Sequence, residues 1–175
     1  MVAGFGDSYA ISRVYFKPIP ADACTATPNM LALKMATDRE IDPEAIDRIE
    51  IRIFQLAKDY PGVDYRGPFA GMTQAKMSVQ YGVAAVLVFK ELNQRIYDRF
   101  GHSQVEKIAS NTTITADEEF SRNFPKQGCR INITMRDGTV LTDRHEDVVP
   151  FSEAQVVDNF RYEAGRLFGD RQAEE

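Results

Sequence analysis

A run of seven apolar residues, Val83-Ala84-Ala85-Val86-Leu87-Val88-Phe89, sets the tightest limit on how this chain can fold. It lies in a segment from Thr73 to about Leu92 whose pattern predicts one long helix, mixed in its first half and apolar on every side in its second. A helix without a polar face is central and covered on most sides. Seven residues also fall far short of the ~20 needed to span a bilayer, so no membrane partner is expected. The chain of 175 residues has room for one domain with its own core, and residues 1–175 read as a single α+β domain.

Shorter patterns supply what surrounds that helix. Ser8 to Phe16 is dominated by aromatic and β-branched residues and predicts a strand. It runs into Lys17-Pro18-Ile19-Pro20, where two prolines stop ladder hydrogen bonding. Thr27-Pro28 reads as an N-cap followed by proline at the first helical position, with Met30, Leu31, Leu33 and Met35 carrying the helix to about Thr37. Asp42-Pro43-Glu44-Ala45 repeats the start signal for a single turn.

Arg48 to Ala57 is the clearest strand, because Ile49, Ile51 and Ile53 alternate with Glu50 and Arg52. Asp59 to Gly71 is a loop, broken by Pro61-Gly62 and Gly67-Pro68. One or two short helices are expected around Gly101, and Asn111 to Ala116 suits a strand. Arg130 to Arg144 is the strongest hairpin signal, with Asp137-Gly138 as its turn. Ser152-Glu153-Ala154-Gln155 is a capping box that opens a last amphipathic helix closed by Gly169. Strands and helices mix without regular alternation. The expected fold is therefore α+β, an antiparallel sheet of about four or five strands with helices packed mainly on one face.

Charge and cysteine usage narrow the function. With 21 basic against 26 acidic residues the formal charge is −5, which argues against a nucleic-acid partner held by phosphate neutralisation. An anionic small molecule remains compatible, since a pocket can be locally basic. Cys24 and Cys129 are the two cysteines, and with no CxxC or Cys/His cluster no metal site is expected. The amino end has neither the basic nor the apolar region of a signal peptide, so a cytoplasmic location is expected.

No GxSxG, Walker A, HExxH or strand-linked GxGxxG signature occurs. His102 and His145 read as solvated surface residues, with a standalone enzyme using one of them as the weaker alternative. Lys17 is held on a stiff extended stretch ahead of the small polar segment Ala21-Asp22-Ala23-Cys24-Thr25-Ala26-Thr27 and a helix amino end. A lysine beside unpaired helix N–H groups makes an anion seat; a lysine snorkelling beside a strand exit is the simpler account. Tyr81 lies where the long helix turns fully apolar, so its ring is expected to be buried and its hydroxyl to need a partner. A core tyrosine explains that as well as a catalytic one.

At these same residues a family resemblance enters. Phe16-Lys17-Pro18-Ile19-Pro20, Thr27-Pro28, and Ile41-Asp42-Pro43-Glu44-Ala45-Ile46 leading to Ile49-Glu50-Ile51-Arg52-Ile53 resemble the carboxy-terminal half of the MmgE/PrpD family. The likeness continues through Gln74-Ala75-Lys76-Met77-Ser78-Val79-Gln80-Tyr81-Gly82-Val83-Ala84-Ala85, Arg136-Asp137-Gly138-Thr139, Pro150-Phe151-Ser152-Glu153 and Asn159-Phe160. It covers about residues 9 to 168, with five motifs in the family's order.

The resemblance implies the following. The family contains 2-methylcitrate dehydratase, cis-aconitate decarboxylase and iminodisuccinate epimerase, cofactor-independent enzymes that act on small polycarboxylates. A helical amino-terminal domain carries most of their catalytic residues, and the carboxy-terminal α+β domain contributes a lysine and a tyrosine. Those two match Lys17 and Tyr81 here as catalytic residues, and Lys17, Asp22, Cys24, Thr25 and Gln80 are the implied substrate-binding set. No metal or organic cofactor is implied. After the lysine the family commonly has a cysteine-aromatic or cysteine-arginine pair and then a histidine, whereas this chain has Pro20-Ala21-Asp22-Ala23-Cys24-Thr25-Ala26-Thr27, with neither arginine nor histidine.

Nothing in these 175 residues resembles the helical domain. The expectation is a lid domain of a lyase or isomerase that turns over only with a helical partner domain or subunit, in a homo- or hetero-oligomer. The alternative is a non-catalytic binding or assembly module that kept the fold.

Overall fold

The computed structural model describes Tyr9, Ile11, residues 14–17 and residues 19–169. These fall into two compact units. The larger, Pro18–Val149, contains all four strands and the buried helix. The smaller is made of the described residues within Met1–Lys17 and Pro150–Glu175.

In the larger unit a 3-10 turn, Ala23–Thr25, leads into helix α1 (Ala26–Asp38). The turn is capped by Asp22, whose carboxylate accepts from the Cys24 amide at 2.8 Å. The expected cap at Thr27 is thus displaced: the chain is already turning five residues earlier, and the N-cap position of α1, Thr25, makes no side-chain cap. Asp42 caps the single turn Pro43–Ala45 as its motif predicts, accepting from the Glu44 amide at 3.0 Å.

Strand β1 (Ile46–Ile53) follows, with Ile49, Ile51 and Ile53 buried and Arg48, Glu50 and Arg52 on the other face. It ends earlier than the alternation suggests because Phe54 starts the short helix α2 (Gln55–Lys58). Helix α3 (Met72–Met77) and helix α4 (Val79–Phe89) replace the single long helix. Helices α5 (Arg95–Asp98) and α6 (Ser103–Ser110) flank Gly101, which has φ +83°. Strand β2 (Thr112–Ala116), helix α7 (Glu118–Arg122), and strands β3 (Cys129–Met135) and β4 (Val140–His145) complete the unit.

The strand order is β2-β1-β3-β4. β1 and β3 pair antiparallel with Ile51 opposite Ile131, and β3 and β4 form the predicted hairpin with Ile133 opposite Leu141. Gly138 supplies the positive φ that the hairpin turn demands. β1 and β2 are parallel, with Ile51 opposite Ile114. The sheet is therefore mixed, mostly antiparallel. The parallel pair arises because β1 returns to β2 through a long helical crossover, α2 to α6, where a tight turn would have reversed the strand.

Isoleucines from β1, β2 and β3 form one apolar layer, and the helices cover it. α1 packs on β3 and β4, α6 on β1, and α4 lies against both α1 and α6. Every residue of α4 from Val79 to Leu87 is buried, as an all-apolar helix requires. Lys34 on α1 bonds Asp143 on β4, which fixes the helix layer to the edge strand and holds the Asp143 carboxyl below its usual range. The opposite sheet face is polar: Asn132 bridges Glu50 at 3.0 Å and Thr142 at 3.0 Å.

The smaller unit holds helix α8 (Glu153–Phe168), opened by the predicted capping box of Ser152 and Gln155 and followed by Gly169 with φ +84°. Ala164 is its one buried residue, while Phe160, Leu167 and Phe168 are exposed. The strand expected over Ser8–Phe16 falls partly outside the described residues, and the described ones there form no strand.

Gly128 lies where a Cβ would come within 2.2 Å of the Phe120 ring, itself fully buried. Gly128→Ala is expected to destabilise the fold by about 1–3 kcal/mol. A denaturant titration showing a lower midpoint at unchanged slope is the check.

Candidate functional site

The site begins at a break. Ser78 leaves the helical region, with φ −76° and ψ 123°, and its hydroxyl accepts from the Tyr81 amide at 3.0 Å. The same hydroxyl donates to the Tyr65 carbonyl at 2.6 Å. Ser78 is therefore the N-cap of α4, satisfying an orphan helix donor that is buried away from water. One serine converts an apparent single helix into two and sets Tyr81 in the first turn of the second.

Gln80 is fully buried and its amide is spent on structure. It donates to Asp64 at 2.6 Å and accepts from the Tyr65 amide at 3.1 Å, pinning the preceding loop to α4. The loop presents Phe69, whose ring meets Tyr81 edge-on with centroids 5.0 Å apart. Tyr97 on α5 stacks on Tyr81 at 6.0 Å and 17°, and Phe100 lies 6.2 Å away.

Tyr81 is completely buried in this aromatic box, and its hydroxyl has no hydrogen-bond partner among the described residues. Burial, assisted by the charge of Glu106, pushes its pKa up to about 12. Tyr97 is equally buried and its hydroxyl equally unpartnered. Its pKa is raised by burial and by Tyr81, and drawn back by the Asn29 amide. Both polar atoms of that amide are buried without a hydrogen-bond partner among the described residues.

Asn29 reaches this place because α4 carries a glycine opposite it. A Cβ on Gly82 would stand 2.5 Å from Asn29 Oδ1. Thr27, on the same turn of α1, also has an unpaired buried hydroxyl. Four fully buried side chains, Thr27, Asn29, Tyr81 and Tyr97, thus bring unpaired polar atoms to the first turns of α1 and α4 and to α5. Each such group costs about 1–3 kcal/mol when left dry, and native interiors rarely tolerate several together. A cluster of this kind is chemically equipped to bond water or a polar ligand.

The other residues singled out by sequence lie as follows. Asp22, Cys24 and Thr25 share one turn that packs against α4. Thr25 donates to the Asp22 carbonyl at 2.8 Å, and the Asp22 amide donates to the Lys76 carbonyl at 3.1 Å, tying this turn to the end of α3. Cys24 is half-buried, and burial together with the Asp22 charge pushes its thiol up to about 12. Lys17 is exposed and belongs to the other unit. His102 is exposed at the N-cap position of α6, and His145 is half-buried with its pKa lowered by burial.

Sequence reasoning found Tyr81 but missed Asn29 and Tyr97. An asparagine two residues after Thr-Pro reads as part of a helix start, and only the partnering glycine at 82, more than 50 residues on, betrays the close approach.

The family description "MmgE/PrpD C-terminal domain" matches residues 20–175. The chain therefore belongs to the MmgE/PrpD family, as its carboxy-terminal domain. None of the curated proteins compared with the chain matches it. Among the described residues no helix is long and apolar enough to cross a membrane, and no three His, Cys, Asp or Glu side chains gather as ligands for a metal ion.

A thiol held near 12 is almost wholly protonated at neutral pH and is a poor nucleophile. Iodoacetamide at pH 8 is expected to label Cys24 in the folded chain far more slowly than in urea. Comparable rates in the two states, read by mass spectrometry, would contradict the burial described above.

Proposed function

We propose that this domain is the carboxy-terminal part of a cofactor-independent lyase or isomerase that acts on a small polycarboxylate and turns over only with a helical partner domain or subunit. The observation that carries the reading is the Tyr81 hydroxyl, fully buried and without a partner in a chain of this family. A core tyrosine ordinarily finds a hydrogen-bond partner. One that keeps a proton to well above neutral pH and has nothing to give it to is suited to donate to a substrate.

The chemistry is proton removal or replacement beside a carboxylate. Charge builds on the substrate in the transition state, and an ammonium near it stabilises that state more than the ground state. In this reading Lys17 is that ammonium, and Tyr81 donates to, or relays a proton at, the reacting carbon. Asp22, Cys24, Thr25 and Gln80 contribute through the backbone they hold, since Asp22, Thr25 and Gln80 already spend their side chains on internal bonds. The exposed Phe160, Leu167 and Phe168 on α8 support the need for a further covering chain.

With a helical partner supplied, Lys17→Ala and Tyr81→Phe are each expected to lower kcat/KM for proton exchange or elimination on a polycarboxylate by about 10²–10⁴-fold. Tyr81→Phe removes an unpaired buried hydroxyl, so it is expected to leave thermal stability unchanged or slightly raised. Unchanged kcat/KM in both variants would refute the catalytic assignment and favour a binding module.

A further inference from the structure

We propose that the groove between the 66–69 loop and α6 binds a phosphate ester of a polyol, with the phosphoryl group held by Arg66 and Lys107. This site stands apart from the polycarboxylate reading, since Tyr81 is not among the residues that line it.

The groove offers a volume of about 610 Å³, inside the ~300–1,000 Å³ range of ordinary small-molecule sites. One wall is the loop, with Arg66; the other is a face of α6 carrying Ser103, Glu106, Lys107 and Ser110. Those four stand at i, i+3, i+4 and i+7, so they share one side of the helix. Ser103 and Ser110 are about 10 Å apart along its axis, the length of a small sugar phosphate. Phe69, half-buried, gives the groove an aromatic surface.

Both walls are fixed to α4. Ser78 and Gln80 hold Tyr65 by its carbonyl and its amide, and the Tyr65 hydroxyl donates to the Pro68 carbonyl. Phe69 sits edge-on to Tyr65 at 5.3 Å and to Tyr81 at 5.0 Å. On the other side α6 packs against α4, with Val105, Ile108 and Ala109 buried. A groove between two anchored walls is preorganised, so a ligand loses little affinity to ordering them.

The polar groups of the groove are not spent on the protein. Arg66 and Lys107 are exposed, and their side chains enter no hydrogen bond or ion pair among the described residues. The Glu106 carboxylate is likewise without a hydrogen bond or ion pair among them, although Lys107 is its neighbour in sequence. Ser110 donates to the Lys107 carbonyl at 2.8 Å and keeps its lone pairs. The site therefore combines a guanidinium, an ammonium and the Ser103 hydroxyl as donors with a carboxylate and a serine oxygen as acceptors.

That composition selects the ligand. A phosphoryl dianion has three oxygens for the Arg66 fork and the Lys107 ammonium. Glu106 and Ser110 then require donors, which ligand hydroxyls supply, and Phe69 takes an apolar C–H face. A polycarboxylate brings a further anionic group against Glu106, and a nucleic-acid backbone does so repeatedly. A cation meets Arg66 and Lys107, and bare phosphate satisfies the cationic groups alone.

The test uses the full chain with ribose 5-phosphate and glucose 6-phosphate as probes, read by calorimetry at fixed ionic strength. At least one ester is expected to bind, about tenfold or more tighter than inorganic phosphate or citrate, and ribose and glucose are expected to give no signal. Arg66→Met and Lys107→Met are each expected to weaken the ester by about tenfold, the loss of one charged hydrogen bond. Glu106→Gln is expected to weaken the ester while leaving inorganic phosphate unchanged or tighter. Lys126→Met, at an exposed lysine outside the groove, is the control and is expected to bind as wild type does.

Binding of neither ester to the wild-type chain overturns the proposal. So does affinity within twofold of wild type in both Arg66→Met and Lys107→Met, with folding checked by circular dichroism. Citrate bound as tightly as the better ester overturns it too, since the groove would then not discriminate against carboxylates. Turnover is not read, so each of these outcomes leaves the Lys17 and Tyr81 chemistry to its own test.

Discussion

A single hydrogen bond, from the Tyr81 amide to the Ser78 hydroxyl, is the constraint on which the arrangement depends. A helix buried on all sides cannot leave its first amides to water, so its start must be capped from within the protein. Ser78 does this at the cost of breaking the helix that precedes it. The break sends α3 in another direction, which puts the Lys76 carbonyl on the Asp22 amide and the Lys76 side chain over Tyr97. The next residues extend the effect: Gln80 secures the loop bearing Phe69, and Gly82 leaves room for Asn29.

Much of the sheet was legible in the sequence because its signals are local. The isoleucine alternation of β1, the Asp137-Gly138 turn and the Ser152 capping box each concern neighbours within a few residues, and each formed as the pattern indicates. The misreadings share a different cause. Thr73 to Leu92 reads as one helix because serine inside a helix costs little by propensity, and only the burial of α4 makes a cap at Ser78 worth a break. The parallel pairing of β2 with β1 follows from which strand the crossover reaches, and no short window records that. At the site, Tyr81 was visible through its place at an apolar boundary. Asn29 and Tyr97 were not, since their partners lie on other elements.

The electrostatic character of the site is set by dryness more than by charge. Burial is the first cause of the raised pKa at Cys24, Tyr81, Tyr97 and Cys129 alike. These groups are proton carriers held in the neutral form. A neutral phenol in a dry box is a stronger donor to an incoming anion than the same phenol in water, because no solvent competes and the local dielectric is low. Cys129, fully buried and held as a thiol, is by the same token inert packing.

The parallel β1–β2 ladder has a bearing on how the chain assembles. The β3–β4 hairpin closes a short loop and can zip from its own turn on the microsecond scale. β2 has no such shortcut: its ladder joins residues separated by the whole crossover from α2 to α6, so the loop-closure entropy falls due before any of its hydrogen bonds are gained. The β2 edge of the sheet therefore closes after the helical layer has gathered, and until then the apolar side of β1, with Ile49, Ile51 and Ile53, stands open to other chains.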